Sequence, residues 1–106
     1  MYKRLLWNKA LYGPMTESAI RVLPEHLQRT RMSKYTYPAD DEIEGTSKPC
    51  RGYVLAGQLA LRSNDCIASF EAGDVFEFAG GDYVLRIGKA SDAIVIWAWE
   101  LPPGFG

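Results

Sequence analysis

Side chains capable of chemistry are few and scattered in this 106-residue sequence. The single histidine, His26, stands just after Pro24 in a predicted turn and reads as a surface residue. Cys50 and Cys66 do not make a disulfide framework and form no Cys-x-x-Cys pair. Cys66 lies on an apolar run and reads as packing. A nucleophilic Cys50 would need a base or a positive charge to lower its pKa, and Lys48 and Arg51 are its neighbours only along the chain. The acidic run Asp40-Asp41-Glu42, with Glu44, lacks the alternate-residue ligand spacing of a calcium loop and reads as solvated. No glycine-rich phosphate loop or serine-centred elbow occurs.

Binding chemistry is better represented. Arg29, Arg31, Lys34, Tyr35 and Tyr37 combine basic and aromatic side chains on one stretch, as a platform for single-stranded nucleic acid would. The formal charge of −1 argues against nucleic acid and against anionic lipid, and a half-exposed strand explains the same residues. Trp97 and Trp99 alternate with Ile94, Ile96 and Ala98, so they could stack on an aromatic or sugar ligand or pack in a core or dimer.

The elements that must position these residues read as strands. With 47% apolar residues, a chain of this length can bury a core without disulfides or a structural metal, and one domain over 1–106 is expected. Residues 1–15 form an N-terminal arm, either an edge segment or a piece that packs on a partner. Residues 16–23 could begin with a turn of helix, but 19–23 alternate up to Pro24 and are predicted as a strand, as are 29–37. Neither face of 29–37 is cleanly apolar, so one of them should line something wet. Residues 39–49 read as a polar loop. Strands are predicted at 51–55 and at 58–62, its antiparallel mate, then at 66–70, 75–78, 83–87 and 93–101. Gly73-Asp74 and Gly80-Gly81 bracket the 75–78 strand, and two strands hinged so closely are expected to pair. No segment keeps a helical period over three turns, so the fold class is all-β. The first residues lack an apolar run long enough for secretion or for spanning a bilayer, which makes a cytoplasmic protein with reduced thiols the expectation.

The stretch from Gly52 to Leu61, with Gly57, followed by that from Phe70 to Gly81, with Gly73, resembles a small single-domain cupin over about residues 18–101. The resemblance implies an antiparallel jelly-roll barrel. It also locates the departures: Cys50 falls where the first cupin motif carries its glutamate, and Glu44 and Thr46, or Ile43 and Gly45, where it carries histidines. Val84 falls at the histidine of the second motif and Gly88 at its asparagine. Glu44 and Cys50 could supply two ligands at most, so neither metal nor cofactor is expected.

In that register Val84, Asp82 and Arg86 point into the barrel, while Tyr83, Leu85 and Ile87 face out and suit a homodimer. The residues expected to bind ligand are Arg31, Tyr35, Cys50, Val84, Arg86 and Trp97. An ion pair of Arg86 with Asp82 or a glutamate is the competing explanation for that arginine. The leading expectation is a metal-independent barrel that binds a small anionic or aromatic ligand, with Arg31 and Arg86 as its charges. The alternatives are a metal-free acid–base enzyme (isomerase, cyclase or lyase) using Glu44, Cys50 or Asp82, and a protein-interaction module.

Overall fold

The computed structural model describes residues 2–23, 30–64 and 66–100. His26, Arg29, Asp65 and Leu101 lie outside the described residues. Its elements are β1 (Tyr2–Leu5), α1 (Lys9–Tyr12), α2 (Glu17–Arg21), β2 (Thr30–Tyr37), β3 (Glu42–Ser47), β4 (Cys50–Ala56), β5 (Gln58–Ser63), β6 (Cys66–Glu71), β7 (Val75–Phe78), β8 (Gly81–Ile87) and β9 (Ala93–Glu100). They form a five-stranded sheet, β1-β7-β4-β9-β2, and a four-stranded sheet, β3-β8-β5-β6. Every strand pairing is antiparallel.

Alternation decides what each sheet buries. Val54 on β4, Phe76 and Phe78 on β7, and Val95 and Trp97 on β9 meet Leu59, Leu61, Leu85 and Ile87 from the other sheet in one core. The same strands send Tyr53, Val75, Ile96 and Ala98 to the opposite face, where Ile20 and Leu23 cover them. Trp7, Tyr12 and Met15 pack there too, so the segment after β1 is a roof on the five-stranded sheet. Trp7 donates its indole N–H to the Gly13 carbonyl at 2.8 Å and meets Tyr53 edge-on at 6.3 Å.

The expected strand at 19–23 is instead the end of helix α2, with Val22 as its C-cap. Five alternating residues are a weak signal, and stronger local ones win: Thr16 Oγ1 accepts from the Ala19 N–H at 3.1 Å, capping the helix. Glu17 and Arg21 add an i,i+4 pair at 3.0 Å, and Lys34 on β2 reaches the same carboxylate at 3.0 Å. The expected loop at 39–49 contains β3. Its Ile43, Gly45 and Ser47 turn partly inward while Glu42, Glu44 and Thr46 stay wet, so an edge strand with one solvated face looked like a loop.

Two expected hairpins are corners. β4 pairs with β7 and β9, not with β5, which pairs with β6 and β8. Gly57, at φ 80°, carries the chain from one sheet to the other. Gly80 and Gly81, at φ 99° and 108°, do the same between β7 and β8, which share no sheet. A tight glycine turn permits either route, and burial of both strand faces selects the crossing.

The register expected for β8 is reversed. Leu85 and Ile87 are buried and Tyr83 is half-buried against the core, while Asp82 and Arg86 are exposed. A shift of one residue exchanges the two faces of a strand, and the apolar set goes inside. Tyr83, Leu85 and Ile87 therefore give no outward stripe, and the case for a homodimer built on them falls.

Candidate functional site

β2 and β3 are edge strands of opposite sheets, and the inter-sheet space near them ends in an aromatic mouth. β2 supplies Tyr35 and Tyr37, β9 supplies Trp97 and Trp99, and β8 supplies Tyr83. Phe78 and Leu61 make the floor, and Ser47 and Cys50 the remaining wall. Alternation aims each pair: Ser33 lies across from Trp97 and Tyr35 across from Val95 on the antiparallel ladder, so inward positions of the two strands coincide. The short Lys48-Pro49 link between β3 and β4 brings Ser47 and Cys50 side by side, with Oγ and Sγ 3.7 Å apart. Gly45 leaves the space that the Tyr83 phenol occupies, since a Cβ there would lie 2.7 Å from its hydroxyl oxygen.

The polar atoms are mostly engaged. Trp97 Nε1 donates to the Tyr37 hydroxyl at 2.9 Å, and Trp99 Nε1 donates to Ser47 Oγ at 3.4 Å. Burial pushes the Tyr37 phenol up to about 12, with neighbouring Tyr83, Tyr35 and Cys50 adding to it against the Trp97 hydrogen bond. Burial also raises Tyr83 and the Cys50 thiol, the latter against a hydrogen bond from Ser47. At neutral pH these groups are uncharged, and none of the described residues lining the mouth is a Lys, Arg, His, Asp or Glu. The enclosed free space is about 40 Å³, room for about one water.

Of the residues expected to bind ligand, Tyr35, Cys50 and Trp97 come together here. Arg31 sits across from Trp99 on the ladder but is exposed and outside the lining. Val84 and Arg86 are on the outer face of the four-stranded sheet for the register reason given above. Arg86 pairs with Asp40 at 3.4 Å and lies 3.9 Å from Glu42, so a surface ion pair accounts for it. Glu44 and Asp82 are also on that outer face, and Asp82 accepts from Thr46 Oγ1 at 2.6 Å. Neither carboxylate reaches the mouth. Tyr37, Tyr83 and Ser47 were not among the expected ligand contacts, and Trp99 was offered beside Trp97 for stacking or packing; alternation from Tyr35 would also have found Tyr37.

The donor set does not suit a transition metal. Phenols, a hydroxyl and one thiol raised by burial replace the imidazoles and carboxylates such ions select. Among the described residues no group of three or more His, Cys, Asp or Glu side chains converges.

A second concavity, about 510 Å³, lies where edge strands β1 and β6 meet and is lined by Arg4, Ser69, Phe70, Glu71, Asp74 and Arg86 among others. Arg4 donates to the Ser69 carbonyl at 2.7 Å, pairs with Asp74 at 3.0 Å and lies 4.6 Å from the centre of the Phe70 ring. Both cations of this groove are thus already paired.

No protein-family model matches the chain, and no curated protein matches it. Among solved structures it is similar to the Clostridium difficile EutQ protein at 15% identity and TM-score 0.60, covering 78% of this chain and 64% of that one. It is also similar to a de novo designed double-stranded β-helix solved by solution NMR, at 14% identity and TM-score 0.51, covering 66% of this chain and 97% of that one. These likenesses concern the fold. Together with the two antiparallel sheets they define an all-β, cupin-like jelly roll with little helix. No helix among the described residues is long and apolar enough to cross a membrane.

Proposed function

We propose that this protein is a metal-independent, cupin-like barrel that binds a small organic ligand by ring contacts at its aromatic mouth. The carrying observation is the convergence of Tyr35, Tyr37, Tyr83, Trp97 and Trp99 around one opening between the sheets. The anionic class of ligand loses its support, because Arg31 and Arg86 stand outside that opening. The acid–base enzyme loses support as well: Glu44 and Asp82 are exposed, and burial raises Cys50 away from the thiolate. The reading includes a cytoplasmic location, where a thiol such as Cys50 stays reduced.

A second reading is favoured by one observation, the small volume left free. About 40 Å³ is little room, and a filled barrel suits a protein-interaction module that works through its exterior. Nuclear magnetic resonance with a set of small fragments separates the two. Shifts confined to Tyr35, Trp97 and Trp99 on adding ring-bearing fragments are expected. No perturbation of the mouth by any fragment at millimolar concentration would defeat the binding reading and leave the interaction module.

A further inference from the structure

We infer that the group this mouth selects is a methylated ammonium cation. The inference rests on the binding reading above and adds the sign of the charge and the chemistry of the head group.

Ring faces are electron-rich, and a diffuse cation held against several of them gains electrostatic attraction without needing a hydrogen-bond acceptor of its own. The mouth supplies such walls. Tyr35 and Tyr37 stand nearly perpendicular, at 79° with centroids 6.0 Å apart, making one corner. Phe78 and Tyr83 make another, at 83° and 6.0 Å. Trp97 and Trp99 add two indoles, the ring type that holds cations best.

The two indole donors an anion could use are already engaged, which leaves the phenol hydroxyls. Trp97 and Trp99 spend their N–H groups on Tyr37 and Ser47, so the polar resource left is chiefly phenol oxygen and π surface. No cationic side chain lines the opening among the described residues, so no lining group repels a positively charged guest. No carboxylate lines it either, which disfavours a primary ammonium, since its N–H groups would be left unpaired on burial. A methylated nitrogen has few or no N–H groups to satisfy. A trimethylammonium group is larger than the 40 Å³ now free, so the lip must yield. Tyr35 is 48% exposed at that lip, and exposed side chains change rotamer readily.

Titration calorimetry of the full chain with choline, with its uncharged carbon isostere dimethylbutanol and with indole tests this. Choline should bind at least about tenfold tighter than dimethylbutanol. In Tyr35→Leu, which keeps bulk but loses a ring, that ratio should fall toward one; Tyr35→Phe should keep it. Circular dichroism confirms folding of both variants. Equal affinity for choline and dimethylbutanol overturns the cation inference while the ring-contact reading survives. A choline preference untouched in Tyr35→Leu overturns the assignment to this mouth. Failure of choline, dimethylbutanol and indole alike overturns both the inference and the reading beneath it.

Discussion

The two seams where the sheets' edges meet are closed by opposite means. Between β1 and β6, Arg4 spans from one sheet to the other and joins the Ser69 carbonyl, the Asp74 carboxylate and the face of Phe70. At the edge formed by β2 and β3, neutral rings meet: among the described residues the Trp97 indole bonds to Tyr37 within its own sheet and the Trp99 indole reaches across to Ser47. A charged clasp saturates its own polar groups and is screened by salt, so the larger groove beside it has little left to offer a ligand. An uncharged aromatic closure leaves π surface unspent. The smaller opening is therefore the better candidate site.

If the aromatic seam is the structural one, its central indole should be costly to remove. Trp97 is buried, edge-on to Phe76 at 5.5 Å, and bonded to Tyr37. Trp97→Ala should lose about 3–5 kcal/mol of unfolding free energy in urea. A loss under about 1 kcal/mol would mean that the mouth hardly supports the fold.

Tyr37→Phe keeps the ring and deletes the acceptor for the Trp97 N–H, an expected cost of about 1–2 kcal/mol at neutral pH. The same residue sets a pH dependence. Burial pushes the folded phenol from its ordinary value of 10 up to about 12, so between those values the unfolded chain releases its proton first. Stability gained from this group is whole below pH 10 and declines as pH climbs toward 12. Urea midpoints measured across that window should fall less steeply in Tyr37→Phe than in the parent; identical slopes would remove Tyr37 as the cause.

At the charged seam, Arg4→Ala should cost about 1 kcal/mol, because its side chain is half exposed and its contacts are partly solvated. Half-molar salt should shrink that cost while leaving the Trp97→Ala cost nearly unchanged. Equal salt sensitivity at the two seams would erase the contrast between them. Arg86→Ala should stay within about 0.5 kcal/mol, since Arg86 holds only an exposed pair with Asp40 and Glu42.

Much of the mouth was legible in advance, and the reason is local. Tyr35 and Trp97 lie on strands whose alternation is plain in the sequence, and each carries its i+2 neighbour, Tyr37 and Trp99, to the same face. Tyr83 was not legible as a wall. Its face depended on the register of β8, and aligning that strand to a metal-binding pattern put Val84 and Arg86 inward instead. The apolar set Tyr83, Leu85 and Ile87 already argued for the other choice on hydrophobic grounds.

Residue type and short-range pattern alone were enough to specify an all-β chain, most of its strand positions and the sites of its turns. These depend on backbone preferences and on side-chain alternation within a few residues. Only the tertiary structure decided which sheet each strand joins. Gly57 and Gly80-Gly81 are compatible with a hairpin or a corner, and long-range burial chooses between them. It also made β3 a strand through its pairing with β8, and turned Arg86 to solvent by drawing Leu85 and Ile87 into the core. The free energy in those choices comes from contacts between residues far apart in the chain, which no local window contains.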